Sequence, residues 1–357
     1  MIVFLLIIIT LTIIPDAIIW NYMSPPGNIG WKMLLCTPSL ITWMSWFGFK
    51  TNILSHNIGL RLFFGSLLLL SFPKLVFVAA AIPFGSLAGW MAAIIVLIVI
   101  IYGFTVGWLR LSVKNETFEL PDLPPSFDGY KILQITDFHV GSFEHHPKFI
   151  SKLVRTANEQ KADLIVFTGD LINTKGKEIE PFANILSKLD APDGIISILG
   201  NHDYHDKQKV IETERNLKWK VLLDESHVIE KSADRINIIG VELISAPPFK
   251  SRGNLKKAMR TVPEGEFKIL LTHDPSHWRM EVVGNTDIPL TLSGHTHAGQ
   301  IKIGRLSLAR MIYREWGGKY SEGCQTLYVS FGLCGTIPFR MGAWPEINLL
   351  TLKKAKG

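Results

Sequence analysis

With 357 residues and a formal charge of +6, from 37 Lys and Arg against 31 Asp and Glu, the chain has room for a well-buried catalytic domain and something besides. The first 110 residues hold one acid, Asp16, and five bases, Lys32, Lys50, Arg61, Lys74 and Arg110, so most of the excess charge flanks apolar segments. That placement is unlike the Lys/Arg stripe of a nucleic-acid-binding domain, and no nucleic-acid partner is expected. Cys36, Cys324 and Cys334 form no CxxC pair and fit a disulfide framework poorly; they read as small buried hydrophobes.

Four stretches approach the roughly 20 apolar residues that a membrane-crossing helix needs. They are 2–20, 33–49, 62–84 and 87–109. The second is short and interrupted by Thr37, Pro38 and Ser39; the third carries Pro73 and Lys74 in its middle. Trp20, Tyr22, Trp31, Trp90, Tyr102 and Trp108 lie near the ends, where amphipathic rings favour the interface. The opening segment has no basic stretch before its apolar run and reads as a retained helix, not a cleaved signal. With four spans, Lys50, Arg61, Arg110 and Lys114 share one side and Lys32 lies on the other, so a multi-pass protein of the inner (cytoplasmic) membrane with a cytoplasmic catalytic domain is expected. Lys74 reads as the only charge inside the spans, a poor basis for a transporter.

Residues 111–129 hold Pro121, Pro124 and Pro125 in a polar run and read as an extended linker between a transmembrane region, 1–110, and a soluble domain, 130–357. In that domain short apolar runs end abruptly in polar clusters. Residues 131–136 form a strand that stops at Asp137-Phe138-His139, and 147–160 a helix with Phe149, Ile150, Leu153 and Val154 on one face. A strand at 163–168 ends at Gly169-Asp170, and one at 194–199 runs into Gly200-Asn201-His202-Asp203, followed by the start of a helix. Strands follow at 236–241, at 267–272 ending in His273-Asp274, and at 289–292, which leads into Ser293-Gly294-His295-Thr296-His297. The alternation predicts a layered α/β domain with sheets inside and helices outside.

Five times a strand delivers Asp, Asn or His to the loop at its C-terminal end, the edge where ligands gather in layered α/β folds. A single such residue is usually a turn former or helix cap; five in register are not. Asp, Asn and His without Cys suit divalent Mn, Fe, Zn, Co or Ni. If Asp137-Phe138-His139 is extended, alternate side chains point the same way and Asp137 and His139 hold one ion together; His295 and His297 repeat the device. Asp170, after a glycine that allows a sharp turn, is the natural bridging carboxylate. Two cations about 3.5 to 4 Å apart suit phosphoester hydrolysis.

Taken in order, these motifs resemble the calcineurin-like metallophosphoesterase superfamily. Gly299-Gln300, Arg340 and Pro345-Glu346-Ile347 are similar to its bacterial membrane-associated branch, with Ala298 where that branch commonly has Gly. The resemblance covers about 130–353 and implies a layered sandwich of two central mixed sheets flanked by helices, after the helical membrane region. It implies two divalent metal ions, Mn, Fe or Zn. One would be held by Asp137, His139, Asp170 and His297, the other by Asp170, Asn201, His273 and His295. His202 is left to face the substrate, a task that suits histidine as a residue type because both protonation states of a free imidazole are accessible near neutral pH, with Asp203 orienting it. His145, His146, His205, His227 and His277 lie off the motifs and are expected at the surface or in turns. Arg340 either binds a phosphate with its planar fork or caps a loop.

The implied activity is that of a phosphodiesterase or pyrophosphatase, and the branch includes enzymes that cleave lipid A precursors such as UDP-diacylglucosamine. The expected substrate is a lipid-linked or nucleotide-linked phosphate at the membrane. A protein phosphatase would show Gly-Asp-x-Val-Asp-Arg-Gly, whereas Gly169-Asp170 continues Leu171-Ile172-Asn173-Thr174. A metal-free membrane scaffold of the same fold is the alternative from another class; it should have lost ligands, and all seven positions are filled.

Overall fold

A computed structural model describes residues 2–23, 29–51, 53, 56–247 and 250–355. It divides into two units, Met1–Val106 and Gly107–Gly357.

The first unit is helical, with α1 (Ile2–Ile18), α2 (Ile29–Lys50), α3 (His56–Ser66), α4 (Phe72–Phe84) and α5 (Ser86–Thr105). A π-helical turn, Leu67–Ser71, joins α3 to α4, so Pro73 falls at the start of a helix, where its missing N–H costs little. Gly89 lets α5 fold back on α4, since a Cβ there would lie 2.7 Å from that of Ala81. Among the described residues, two helices are long and apolar enough to cross a membrane, Ile58–Phe84 and Ser86–Leu109, at the third and fourth of the expected spans. The 33–49 stretch is helical, and within the first segment the described residues Ile8–Asn21 form a shorter apolar helix. Lys74 is not the isolated charge expected: its Nζ donates to Asp16 on α1 and, at 2.6 Å, to the hydroxyl of Ser39 on α2.

Residues 111–129 are not a free linker, because β1 (Ser112–Leu120) is a full strand and Phe118, Leu120, Leu123 and Phe127 are buried. Three prolines after a polar run masked a strand whose last alternate side chains, Phe118 and Leu120, point into the core. The remaining strands are β2 (Lys131–Ile135), β3 (Leu164–Phe167), β4 (Ile195–Ser197), β5 (Lys220–Val221), β6 (Glu225–Lys231), β7 (Asp234–Gly240), β8 (Lys268–Leu271) and β9 (Leu290–Ser293). A small hairpin, β10 (Lys302–Ile303) and β11 (Leu306–Ser307), precedes β12 (Gly318–Glu322), β13 (Gln325–Val329) and β14 (Glu346–Lys354).

Two six-stranded mixed sheets result, in the orders β1-β14-β2-β3-β4-β5 and β12-β13-β9-β8-β7-β6. Within them β2 to β5 are parallel, as are β13, β9, β8 and β7. Ile132, Leu164, Val166 and Ile196 of one sheet meet Ile238, Ile269, Leu271 and Leu292 of the other in the central core. Alternate residues Leu133, Ile135, Ile165 and Phe167 face outward onto α6 (Pro147–Glu159), α7 (Ala183–Leu186) and α8 (Lys207–Asn216). The outer face of the second sheet packs on α9 (Leu255–Met259) and Trp278. The central strands β2, β3, β8 and β9 are therefore buried on both faces, and the 131–136, 163–168 and 267–272 segments read as largely apolar runs for that reason. The architecture is the layered α/β sandwich of two mixed sheets between helices.

Candidate metal centre

β2, β3 and β4 are adjacent and parallel in one sheet, β8 and β9 in the other, so the loops at their C-terminal ends share one edge of the sandwich. Gln134, inside β2, fixes the sheets against each other by donating to Thr168 Oγ1 at 3.0 Å and to the Ser293 carbonyl at 2.9 Å. The backbone N–H of His295 then donates to both carboxylate oxygens of Asp137, at 3.1 and 2.9 Å. Glycines allow these loops to touch. A Cβ on Gly294 would sit 2.3 Å from Asp137 Oδ2, and one on Gly200 would sit 2.2 Å from Asp170 Oδ1.

Two groups of possible ligand atoms result, Asp137, His139, Asp170 and His297 in one, and Asp170, His273 and His295 in the other. Asn201 adjoins the second group, its Oδ1 3.2 Å from His273 Nε2. Asp170 belongs to both. The separations between facing atoms are informative: His139 Nε2 lies 3.5 Å and His273 Nε2 3.3 Å from Asp170 Oδ2, and His297 Nε2 lies 3.7 Å from Asp137 Oδ1. Such gaps are long for hydrogen bonds but match the edge of a tetrahedron of ligands, about 3.4 Å when each bond to a cation is about 2.1 Å. His139 Nε2 and His297 Nδ1 are buried without a hydrogen-bond partner, so the donor set fits divalent cations.

Asp137 and His139 do not meet by the alternation expected of an extended segment. β2 stops at Ile135, and both residues are left-handed, with φ of 51° and 49°. Asp170, His295 and His297 share that conformation, at 58°, 73° and 51°. For side chains other than glycine this costs on the order of 1–2 kcal/mol per residue, and its concentration at five of the seven positions marks a functional site.

Neighbours aim the rings. His273 Nδ1 lies 2.8 Å from the Thr168 carbonyl, which can only accept, so Nδ1 carries a proton and Nε2 faces Asp170. Asn173 does the same for His139: its amide donates to Ser142 Oγ, leaving Oδ1 3.0 Å from His139 Nδ1. The Asn173 carbonyl holds His202 Nδ1 at 2.7 Å, while the His202 N–H donates to Asp170 Oδ1 at 2.8 Å. Tyr313 Oη lies 2.8 Å from His295 Nε2. Asn173 and Tyr313 escaped the sequence reading. Asn173 stands three residues after Asp170 in a stretch noted only for lacking the phosphatase signature, and no local pattern marks Tyr313.

Burial holds His139 down to about 3 and His295 down to about 4, with His202 and His273 respectively the next cause, and burial also depresses His297. These rings are neutral and offer lone pairs. Burial lowers His273 too, but the Asp170 charge outweighs it and carries the ring up to about 10. Asp170 is held well below the usual carboxylate range: burial alone would raise it, and His273 and His202 reverse the sign. Burial lifts Asp137 to about 6.

Other expectations change in the folded chain. Asp203 does not touch the His202 ring; its carboxylate accepts four backbone N–H groups, from Asp170 and Leu171 at 2.9 Å, Ile172 at 3.2 Å and Gly200 at 2.8 Å. Arg340 caps loops and is fully buried, donating to the carbonyls of His297, Phe331, Ala343 and Cys334. Gln300 works beside it, donating to Ile337 and Phe339. His277 is buried, with Nδ1 3.0 Å from Thr272 Oγ1, not at the surface or in a turn. His145 and His205 are exposed, and His146 and His227 half-buried. His205 lies edge-on to His202 with ring centres 5.7 Å apart.

The sequence profile of the calcineurin-like phosphoesterases matches residues 130–299. The Bacillus subtilis metallophosphoesterase YkuE is 32% identical over 68% of this chain and 86% of its own length. A Campylobacter jejuni metallophosphoesterase, Cj0846, is 30% identical over 74% of this chain and 70% of its own. A Danio rerio protein named as a transmembrane protein with a metallophosphoesterase domain is 28% identical over 74% and 62%. The metal-ligand geometry and these likenesses agree, and the chain belongs to the calcineurin-like phosphoesterase family of metal-dependent hydrolases.

Proposed function

We propose that this protein is a two-metal phosphoester hydrolase, a phosphodiesterase or pyrophosphatase, acting on a lipid-linked or nucleotide-linked phosphate at a membrane surface. The observation that carries the reading is Asp170, whose carboxylate is common to both groups of ligand atoms and supports a pair of cations, not one. Asp137, His139, Asp170 and His297 would hold the first and Asp170, Asn201, His273 and His295 the second. Bound there, divalent cations of the Mn, Fe or Zn type supply Lewis-acid activation of water and neutralise phosphoryl charge.

The chain's own groups do the rest. Asn201, His202 and His297 are half-buried and form the open side of the centre, where a phosphoryl group enters. His202 keeps a proton on Nδ1 against the Asn173 carbonyl, so it is the doubly protonated ring, with its second proton on Nε2, that donates to a phosphoryl oxygen or protonates the leaving oxygen.

Two helices capable of crossing a membrane support action at its surface. Their single-residue connection, Gly85, carries no charge, whereas Lys50 before the pair, Arg61 in its first turn, and Arg110 and Lys114 after it would lie together on the other side. By the positive-inside bias the catalytic domain is cytoplasmic, on the inner membrane.

The test uses full-length protein in detergent, manganese and a chromogenic phosphodiester. Hydrolysis is expected and should disappear with Asp170→Asn. An unchanged rate in that variant removes the two-metal reading. Fewer than one bound ion per chain by elemental analysis after reconstitution would favour a scaffold instead.

A further inference from the structure

Between Gln300 and β12 the chain makes an excursion that carries none of the seven candidate ligands. It comprises the β10–β11 hairpin, a short turn at Leu308–Met311 and the return to Glu315. Within Gly107–Gly357, seven large apolar side chains stand exposed among the described residues. Five are in this excursion, Ile303, Leu306, Leu308, Met311 and Ile312, each more than half exposed. Ile303 and Leu306 are paired across the hairpin, and Leu308 to Ile312 follow without a break. So much contiguous apolar surface on an otherwise polar domain marks an interaction site.

The charges around it select the partner. Lys302, Arg305, Arg310 and Arg314 are interleaved with the apolar residues, and the one acid, Glu315, is buried and accepts from Arg279 at 2.9 Å. Arg305 and Arg310 are exposed and make no ion pair among the described residues. Apolar side chains set among arginines match the headgroup layer of an anionic bilayer, where the former enter the acyl boundary and the latter meet phosphate. The patch is also tied to the catalytic edge. Ser307 Oγ donates to the Ala298 carbonyl at 2.5 Å, Thr296 Oγ1 to the Trp316 carbonyl at 2.6 Å, and Tyr313, next to Ile312, has its hydroxyl 2.8 Å from His295 Nε2.

We propose that residues 301–314 form a membrane-docking element that seats in the headgroup layer of an anionic bilayer and holds the mouth of the metal centre at the depth of lipid phosphates. The proposal deepens the reading of a membrane-surface phosphoesterase and rests on it.

The experiment places full-length protein in nanodiscs of phosphatidylcholine with or without phosphatidylglycerol. An environment-sensitive fluorophore is attached at Met311→Cys in a Cys36→Ser, Cys324→Ser background, since Cys334 is buried. The control probe is at Val228→Cys, exposed on β6. Lipids spin-labelled near the headgroup should quench the 311 probe at least threefold more than the 228 probe in anionic discs, and Arg305→Gln with Arg310→Gln should return it to the control level. Equal quenching at both sites, or quenching indifferent both to lipid charge and to the arginine pair, overturns the proposal. So does 311-to-311 cross-linking between chains, which would identify a second copy as the occupant. Hydrolysis of a soluble phosphodiester should be unchanged in the docking variants; its loss in Asp170→Asn alone reports on the metal centre, so the two readings fail separately.

Discussion

Asp203 Oδ2 accepts the backbone N–H of Asp170 at 2.9 Å, joining the loop after β4 to the residue at the middle of the centre. Three further backbone donors converge on the same carboxylate, all buried. Asp203→Ala leaves them without an acceptor, at about 1–3 kcal/mol for each group that water cannot reach. Destabilisation of at least ~2 kcal/mol is expected, with weakened metal binding because Asp170 loses its backbone anchor. Denaturant melts of the purified protein with and without manganese check both effects; a change under 0.5 kcal/mol would refute the role.

His202→Ala should leave metal content intact, since the ring lies outside both ligand groups. A positioned general acid contributes on the order of 10²–10⁴ in rate, so kcat should fall by at least 10² for a poor leaving group and by much less for p-nitrophenolate. A series of aryl phosphodiesters of graded leaving-group pKa measures this. An equal loss across the series would assign His202 to binding alone.

Ala298 occupies φ 49° and ψ 33°, a left-handed conformation, and is fully buried. Glycine adopts it without steric cost. Ala298→Gly should therefore stabilise the catalytic unit by about 1 kcal/mol, less a few tenths for the lost methyl packing and the freer unfolded chain. Thermal melts in the presence of manganese give the sign directly.

Cation binding should be proton-linked with a slope that changes near pH 6. Without a cation His273, at about 10, carries a proton across the neutral range, whereas His139 and His295, at about 3 and 4, carry none. A cation displaces the His273 proton, so one proton is released and affinity rises about tenfold per pH unit between pH 7 and 9. Below about 6 the carboxyl of Asp137 is protonated as well, and two protons must leave. Calorimetry in buffers of different ionisation enthalpy counts them; a pH-independent affinity would contradict the geometry.

The sequence by itself determined the parts of this protein that are local in the chain. Strands buried on both faces are written as apolar runs, and the punctuation after β2, β3, β4, β8 and β9 is written as Asp, Asn and His, because each strand must end where a ligand-bearing loop begins. The residues that the fold gathers into the two groups, Asp137, His139, Asp170, His273, His295 and His297, stand out in the sequence for that reason. Strand β1 was not, since its apolar side chains are recognisable as core only once β14, more than two hundred residues away, lies beside it. What Asp203, Arg340, Asn173 and Tyr313 do was decided by tertiary structure alone. Each acts through hydrogen bonds to loops distant in sequence, and a carboxylate that staples four amides has the same letter as one that orients a histidine. The left-handed backbone at Asp137 and His139 was equally invisible, because the chain there obeys the loops packed on it and not the propensity of its residues.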